Sequence, residues 1–257
     1  MRNIDPTAIV KKEAEIGDNV SIGPFSIIEK NVIIGENTKI GSGVVISSGT
    51  SIGKGCNIFH GAVLGTIPQD LKFTGEETIL RIGDNTTIRE YATINRGTKY
   101  SGKTVVGKNC LVMAYVHIAH DCVIKDNVIL ANAVNMAGHV EIDDFAIVGG
   151  IVPIHQFVKI GKHSFIGGGY RVPKDVPPYI LAAEEPLTYC GLNIVGLKRR
   201  GFSREAIEII KKVYKFIYRS SLNVSQALEI IEKEIEKTKE VNEIVRFIKS
   251  SKRGIIK

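Results

Sequence analysis

Six histidines occur in this 257-residue chain, at positions 60, 117, 120, 139, 155 and 163, and five of them fall between 117 and 163. A neutral imidazole takes a proton from an attacking hydroxyl, and an adjacent carboxylate holds the ring tautomer and stabilises the imidazolium that forms. His120 has such a carboxylate beside it in Asp121. A backbone N–H aimed at the same point would receive the oxyanion of a tetrahedral intermediate. Two other chemistries compete for these residues. Clustered histidines bind zinc, and His117 and His120 form a His-x-x-His pair. Cys122, two residues after His120, offers a thiolate nucleophile.

The elements that must position these groups follow from a second pattern. From Val10 to Val172 nearly every sixth residue is a branched aliphatic, and of 28 such slots only Asp70, Glu76 and Tyr100 break the rule, with Met136 the one unbranched entrant. Six matches neither the helical period of 3.6 nor the strand period of 2. It is the hexapeptide signature of a parallel β-helix, in which each short strand and turn forms one side of a triangular coil. Solenoids with this repeat are left-handed. Three hexapeptides make an 18-residue coil, so 28 slots predict about nine coils and a column roughly 45 Å tall.

Positions 18 apart then stack directly. His120, Gly138 and Gln156 form one such column, Asp121 and His139 form its neighbour, and His117 lies around the bend of His120's own coil. This arrangement suits acyl transfer, with His120 as base, Asp121 as its partner and the Gly138 N–H toward the oxyanion. The same register puts Cys56, Cys110 and Cys122 two residues before a core aliphatic, in a slot otherwise held by small residues. That predicts packed thiols and favours direct hydroxyl attack over a covalent acyl-enzyme.

Two polar, turn-rich segments leave the pattern, at 68–78 and at 98–103. Both keep its phase, since Ile82 follows Leu64 by 18 residues, one coil's worth. Loops that protrude from a rigid body commonly carry function. The column is expected over residues 1–175, and 176–257 form a Pro-containing connector and a helical domain. There Ser203 should cap a helix whose buried stripe is Ile207, Ile210, Val213 and Ile217. Asn223 or Ser225 should cap a second helix reaching about Lys239, and a third should span 240–250. A polar helical cap also closes the open end of a stack.

Net charge is +7, and residues 198–257 alone carry +8, so the basic field belongs to the tail and suits an anionic partner. Without interleaved aromatic residues it does not read as a nucleic-acid surface. No stretch approaches 18 apolar residues and the first residues lack a signal-peptide core, which predicts a cytoplasmic protein with no transmembrane segment. Four cysteines without a CxxC pair predict no disulfides. A scaffold or ice-binding solenoid would present a regular exposed face, against which the polar loops and the histidines argue.

The segments HIAHDC (117–122), AGH (137–139), HQF (155–157), QDLK (69–72), DVPPY (175–179) and GLKRRGFS (196–203) closely resemble the UDP-N-acetylglucosamine O-acyltransferase family, over essentially the whole chain. The resemblance implies a homotrimer of left-handed β-helices with active sites between subunits and no cofactor beyond the phosphopantetheine that acyl carrier protein brings. The reaction it implies, the first step of lipid A biosynthesis, moves an (R)-3-hydroxyacyl chain from that carrier to the glucosamine 3-hydroxyl of UDP-GlcNAc. His120, Asp121 and Gly138 would be catalytic. Gln69, Asp70 and Lys72 would bind the sugar, with the Asp70–Lys72 pair reaching across the subunit interface. His117, His139 and Gln156 would contact sugar and phosphates, and His155 would line the acyl groove. Asn193, Arg199 and Arg200 would meet the nucleotide or the acidic carrier, and Gly168 would leave room for a long acyl chain. Asn95 and Val195 depart from the family's usual residues near the nucleotide. Transfer to a 3-amino sugar analogue, forming an amide, and a zinc-dependent enzyme like the gamma-class carbonic anhydrases are the alternatives.

Overall fold

The computed structural model describes residues 3–257; Met1 and Arg2, counted in the predicted column, lie outside them. Short strands, most of two residues, alternate with two-residue turns, and they assemble into three sheets of 11, 8 and 8 strands that form the sides of a prism. Along one side the register runs Ile28, Ile46, Leu64, Ile94, Ile118, Met136, Ile154, each paired in parallel with the next. These side chains are buried, so every coil completes its core only against its neighbours above and below.

A triangular coil needs a sharp bend between sides, and the chain makes it with left-handed backbone. Asn19, Asn31, Asn37, Asn85, Asn109 and Asn127 take it with φ between 54° and 60°. Asparagine tolerates that region better than most residues do. Asp121, His139 and Phe157 occupy equivalent corner positions with φ of 59°, 63° and 63°.

The interruptions do not keep phase by the one-coil spacing expected from Leu64 and Ile82. Ile82 pairs with Ile52 and not with Leu64, whose partner is Ile94. The first excursion therefore extrudes two whole hexapeptides and the second extrudes one, since Ile82 pairs with Val106. Slots 70, 76 and 100 were never inside the column. Phase survives because whole repeats are removed.

The sheet also runs past position 175. Ile180–Ala183 pairs in parallel with Phe165–Ile166, and Thr188–Leu192 returns antiparallel to it. Four helices follow: α1 (Ile194–Arg199), α2 (Arg204–Arg219), α3 (Val224–Glu234) and α4 (Lys239–Ser250). Ser203 caps α2, and Ile207, Ile210, Val213 and Ile217 are buried along it. Asn223 caps α3 in a reciprocal box with Gln226. That helix ends at Glu234, short of the expected Lys239, because Ile235 leaves helical geometry and Thr238 caps a new helix. The short helix α1 was not expected. Buried Asp175 anchors the tail to the last coils, accepting from Ser251 Oγ at 2.6 Å and from the Lys159 N–H at 2.8 Å. No helix among the described residues is long and apolar enough to cross a membrane.

Candidate active site

The sheet holding Thr93–Asn95, His117–Ile118, Asn135–Met136 and Pro153–Ile154 delivers four successive coils to one corner of the prism. At that corner a cleft of about 500 Å³ opens, and Gln69, Asp70, Lys72, His117, His120, Gly138, His139 and Gln156 all line it. The stacking rule brings these side chains together as the 18-residue spacing requires. The first excursion folds back over the corner, so Asp70 and Lys72 reach the cleft within their own chain. Their expected reach across a subunit interface is not needed.

His120 Nδ1 lies 2.8 Å from Asp121 Oδ2, and the Asp121 side chain has no solvent exposure while the His120 side chain keeps 13%. Burial pushes the Asp121 carboxyl up, but hydrogen bonds from Ser101, Thr98 and His120 outweigh it, leaving it below the usual carboxylate range. An ionised Asp121 accepts a hydrogen bond from Nδ1–H and leaves Nε2 as the free base nitrogen. Gly138 sits directly against that edge of the ring. A Cβ added there would lie 2.6 Å from His120 Cε1 and 2.8 Å from Nε2, closer than any side chain tolerates. Its N–H meets no acceptor among the described residues. The backbone of Gly138 thus lies against the base-nitrogen edge of His120, with an N–H that has no partner among the described residues.

His139 from the next coil stands edge-on to His120, with ring centroids 5.0 Å apart, and its Nδ1 is 3.9 Å from Asp121 Oδ2. Burial lowers its pKa, with the Asp121 charge working in the opposite direction. Burial likewise lowers His117, whose Nδ1 lies 2.7 Å from Thr93 Oγ1. Both rings favour the neutral form, suited to polar contact with substrate.

Cys122 is excluded from the cleft. It is fully buried, its thiol lies 3.3 Å from the Ala137 carbonyl, and burial pushes its pKa up to about 12. Such a thiol is packing and not a nucleophile. One atom each from His120, Asp121 and His139 lies within 4.8 Å of the others, a spacing a metal ion would accept. Both Asp121 oxygens already accept hydrogen bonds from Thr98, Ser101 and His120, so a cation there would displace them.

Not every predicted residue arrives. His155 points outward, its Nδ1 3.1 Å from the Gln156 carbonyl. His163 occupies the next corner around the prism, stacked between Phe145 and Tyr179 at centroid distances of 4.9 and 5.8 Å. Burial, together with the charges of Lys162 and Arg200, brings its pKa down to about 4. The five-histidine patch is thus a three-histidine cleft with two members facing elsewhere. Asn193 caps α1 through the Gly196 N–H and donates to the His163 carbonyl at 2.9 Å. Arg200 lies over the Phe145 ring and Arg199 is exposed. Gly168 is on the third corner, against Gly150. Within one chain these four do not meet His120.

Asn95 is buried and donates to Thr66 Oγ1 and the Ile67 carbonyl, bracing the root of the first excursion. Val195 is exposed on α1. Sequence reasoning missed Thr98, Ser101, Tyr100 and Phe157. Tyr100 packs edge-on to His139 at 4.5 Å, and Phe157 stacks on the same ring at 4.3 Å. The only signal for Tyr100 was that it occupies a broken slot.

Residues 175–256 match the model of the second domain of UDP-N-acetylglucosamine O-acyltransferase, and 13–48, 31–66 and 103–138 match the bacterial transferase hexapeptide repeat. The chain is 51% identical to an acyl-[acyl-carrier-protein]–UDP-N-acetylglucosamine O-acyltransferase from Aliarcobacter butzleri, covering 99% of this chain and 98% of that protein. The chain belongs to that family. A relative of the same description from Thiobacillus denitrificans is 49% identical over the full length of both. Among solved structures, a UDP-N-acetylglucosamine acyltransferase from Bacteroides fragilis superposes with a TM-score of 0.97 at 51% identity, covering 98% of this chain and 99% of that one. The enzyme from Francisella novicida superposes at 0.96 and 46% identity, with 98% and 93% covered. The family fold is a left-handed parallel β-helix followed by a helical domain.

Proposed function

We propose that the chain transfers an (R)-3-hydroxyacyl group from acyl carrier protein to the glucosamine 3-hydroxyl of UDP-GlcNAc, the opening step of lipid A biosynthesis. One observation carries the reading: His120, tethered to the buried Asp121 carboxylate, holds its free nitrogen edge against Gly138, whose N–H has no acceptor among the described residues. The sugar hydroxyl attacks the thioester carbonyl while Nε2 of His120 takes its proton. The carbonyl oxygen becomes an oxyanion at the Gly138 N–H. Collapse expels the carrier thiolate, to which the imidazolium returns the proton, leaving the ester.

Gln69, Asp70 and Lys72 from the first excursion, with His117, His139 and Gln156 from the coils, hold the sugar diphosphate. Asn193, Arg199, Arg200, His155 and Gly168 serve from a neighbouring subunit of a homotrimer, whose corner faces this cleft. Gly168 leaves space for a long acyl chain there. The +8 charge of residues 198–257 attracts an acidic carrier protein. The reaction uses no metal or organic cofactor and takes place in the cytoplasm.

Replacing His120 with Ala should abolish transfer from hydroxyacyl carrier protein to UDP-GlcNAc while the oligomer persists; retained turnover would sink the reading. Mixing H120A with a double Arg199→Ala, Arg200→Ala variant should restore activity in hybrid oligomers, and no restoration would count against shared sites. A zinc-dependent reading draws on the His120–Asp121–His139 spacing. It predicts loss of turnover on exhaustive chelation, whereas the acyltransferase reading predicts none. Offering UDP-GlcNAc and its 3-amino analogue with a ladder of donors, and weighing the products, separates ester from amide formation.

A further inference from the structure

The side chain of Asp121 is enclosed by the second excursion, the segment that interrupts the repeat at Tyr100. Asp121 Oδ1 accepts from the Thr98 N–H at 3.1 Å, the Ser101 N–H at 3.2 Å and the Ser101 hydroxyl. Oδ2 accepts from the Thr98 hydroxyl at 2.7 Å and faces His120 Nδ1 at 2.8 Å. The Asp121 N–H in turn donates to Thr104 Oγ1 at 2.9 Å, at the start of the strand that closes the loop. A buried carboxylate without such donors would go neutral and lose its hold on the imidazole.

The loop is itself braced by the first excursion. The Lys99 N–H donates to Glu76 Oε1 at 3.1 Å, and Thr78 Oγ1 donates to the Gly97 carbonyl at 2.6 Å. The segment carrying Asp70 and Lys72 and the segment enclosing Asp121 are thus one hydrogen-bonded unit laid over the corner.

We infer that Thr98 and Ser101 are positioning residues for the acyl transfer, orienting the Asp121 carboxylate toward His120 through a cradle of two N–H and two O–H donors. The inference rests on His120 being the general base. Thr98 and Ser101 touch neither the reacting atoms nor the oxyanion site; they act through Asp121. The titratable groups facing Asp121 are His120 on its own corner and His139 from the next coil, and Tyr100 of the loop packs on His139.

The test uses the full-length protein with hydroxyacyl carrier protein and UDP-GlcNAc. Ser101→Ala and Thr98→Val each remove one hydroxyl and keep the backbone donor. The double variant should lose about 10- to 100-fold in kcat, with KM for the sugar nucleotide changed less than about threefold. Without the hydroxyls Asp121 protonates at higher pH, so the acid limb of kcat/KM should steepen from one proton toward two. Thr98→Ser and Ser101→Thr, which restore a hydroxyl, should recover most of the loss. If the double variant fails to fold, S101A alone carries the test, with folding checked by its melting temperature. Wild-type kcat and an unaltered acid limb in S101A, T98V and the double variant would overturn the inference while H120A stays inactive. An active H120A would overturn the general-base reading instead, so the two failures are distinguishable.

Discussion

Two corners of the same column hold a histidine in the same left-handed conformation, and only one of them lines the cleft that holds His120. His139 (φ 63°) stands beside His120, Asp121 and an open cleft; His163 (φ 56°) lies between the rings of Phe145 and Tyr179 with Phe202 against its edge. The repeat builds both corners alike. What differs is what covers them. Two extruded segments fold over the first corner, bringing a carboxylate, an ammonium group and hydroxyl donors, whereas the second is covered by aromatic rings and the helical tail. A solenoid thus supplies a rigid rail of positions, and departures from its repeat decide which of them line a polar cleft.

The largest effect should come from breaking the reactive corner at its base. H120A should lower kcat by about 10³-fold or more, measured as product formed per subunit, with far-UV circular dichroism unchanged. A comparable loss from His163→Phe would erase the distinction between the corners. Gly138→Ala comes next, at about 10²-fold in kcat, because the added Cβ must push His120 away from a position only 2.6 Å distant. Steady-state kinetics at saturating sugar nucleotide would reveal it, and wild-type kcat there would show that the close approach of Gly138 to His120 does not matter for turnover.

The aromatic corner should answer in stability and not in turnover. His163 titrates near 4 in the folded chain against 6.5 when free. Over that window the unfolded chain binds the extra proton, so stability is lost as pH falls from 6.5 toward 4. Allowing for its partial exposure, the loss is about 1–2 kcal/mol. H163F should flatten that part of the stability–pH curve in urea titrations, and an unchanged slope would contradict the burial argument. The smallest effect belongs to Cys122→Ala, expected to cost about 1 kcal/mol of stability and to leave kcat within about twofold. A collapse of turnover with folding intact would bring back the covalent route.

Much of the site was legible from spacing. His120, Gly138 and Gln156 meet in the cleft because each lies one 18-residue coil from the next, and Asp121 and His139 follow by the same rule. His163 was grouped with them by sequence proximity, yet its distance of 24 from His139 places it one side further around. Periodicity already contained that information. Thr98 and Ser101 were invisible and Tyr100 showed only as a broken slot, because a six-residue segment outside the repeat has no register to say which corner it covers. The end of α3 at Glu234 was hidden for a similar reason. The apolar pattern runs on through Ile235, and the break depends on the Thr238 cap that begins α4.

The sequence by itself determined the column, its buried aliphatic ladder, the stacking of His120 under Gly138 and the cap at Ser203, since all of these are consequences of local spacing and local backbone chemistry. Only the tertiary structure decided that the broken slots are extruded repeats, that the two excursions are tied together at Glu76 and Lys99, and that their donors enclose Asp121. It also decided that Asp70 reaches the cleft of its own chain. The physical reason is that a repeat transmits position through identical backbone pairing, while an excursion finds its place through hydrogen bonds between groups some twenty residues apart, whose partners no period specifies.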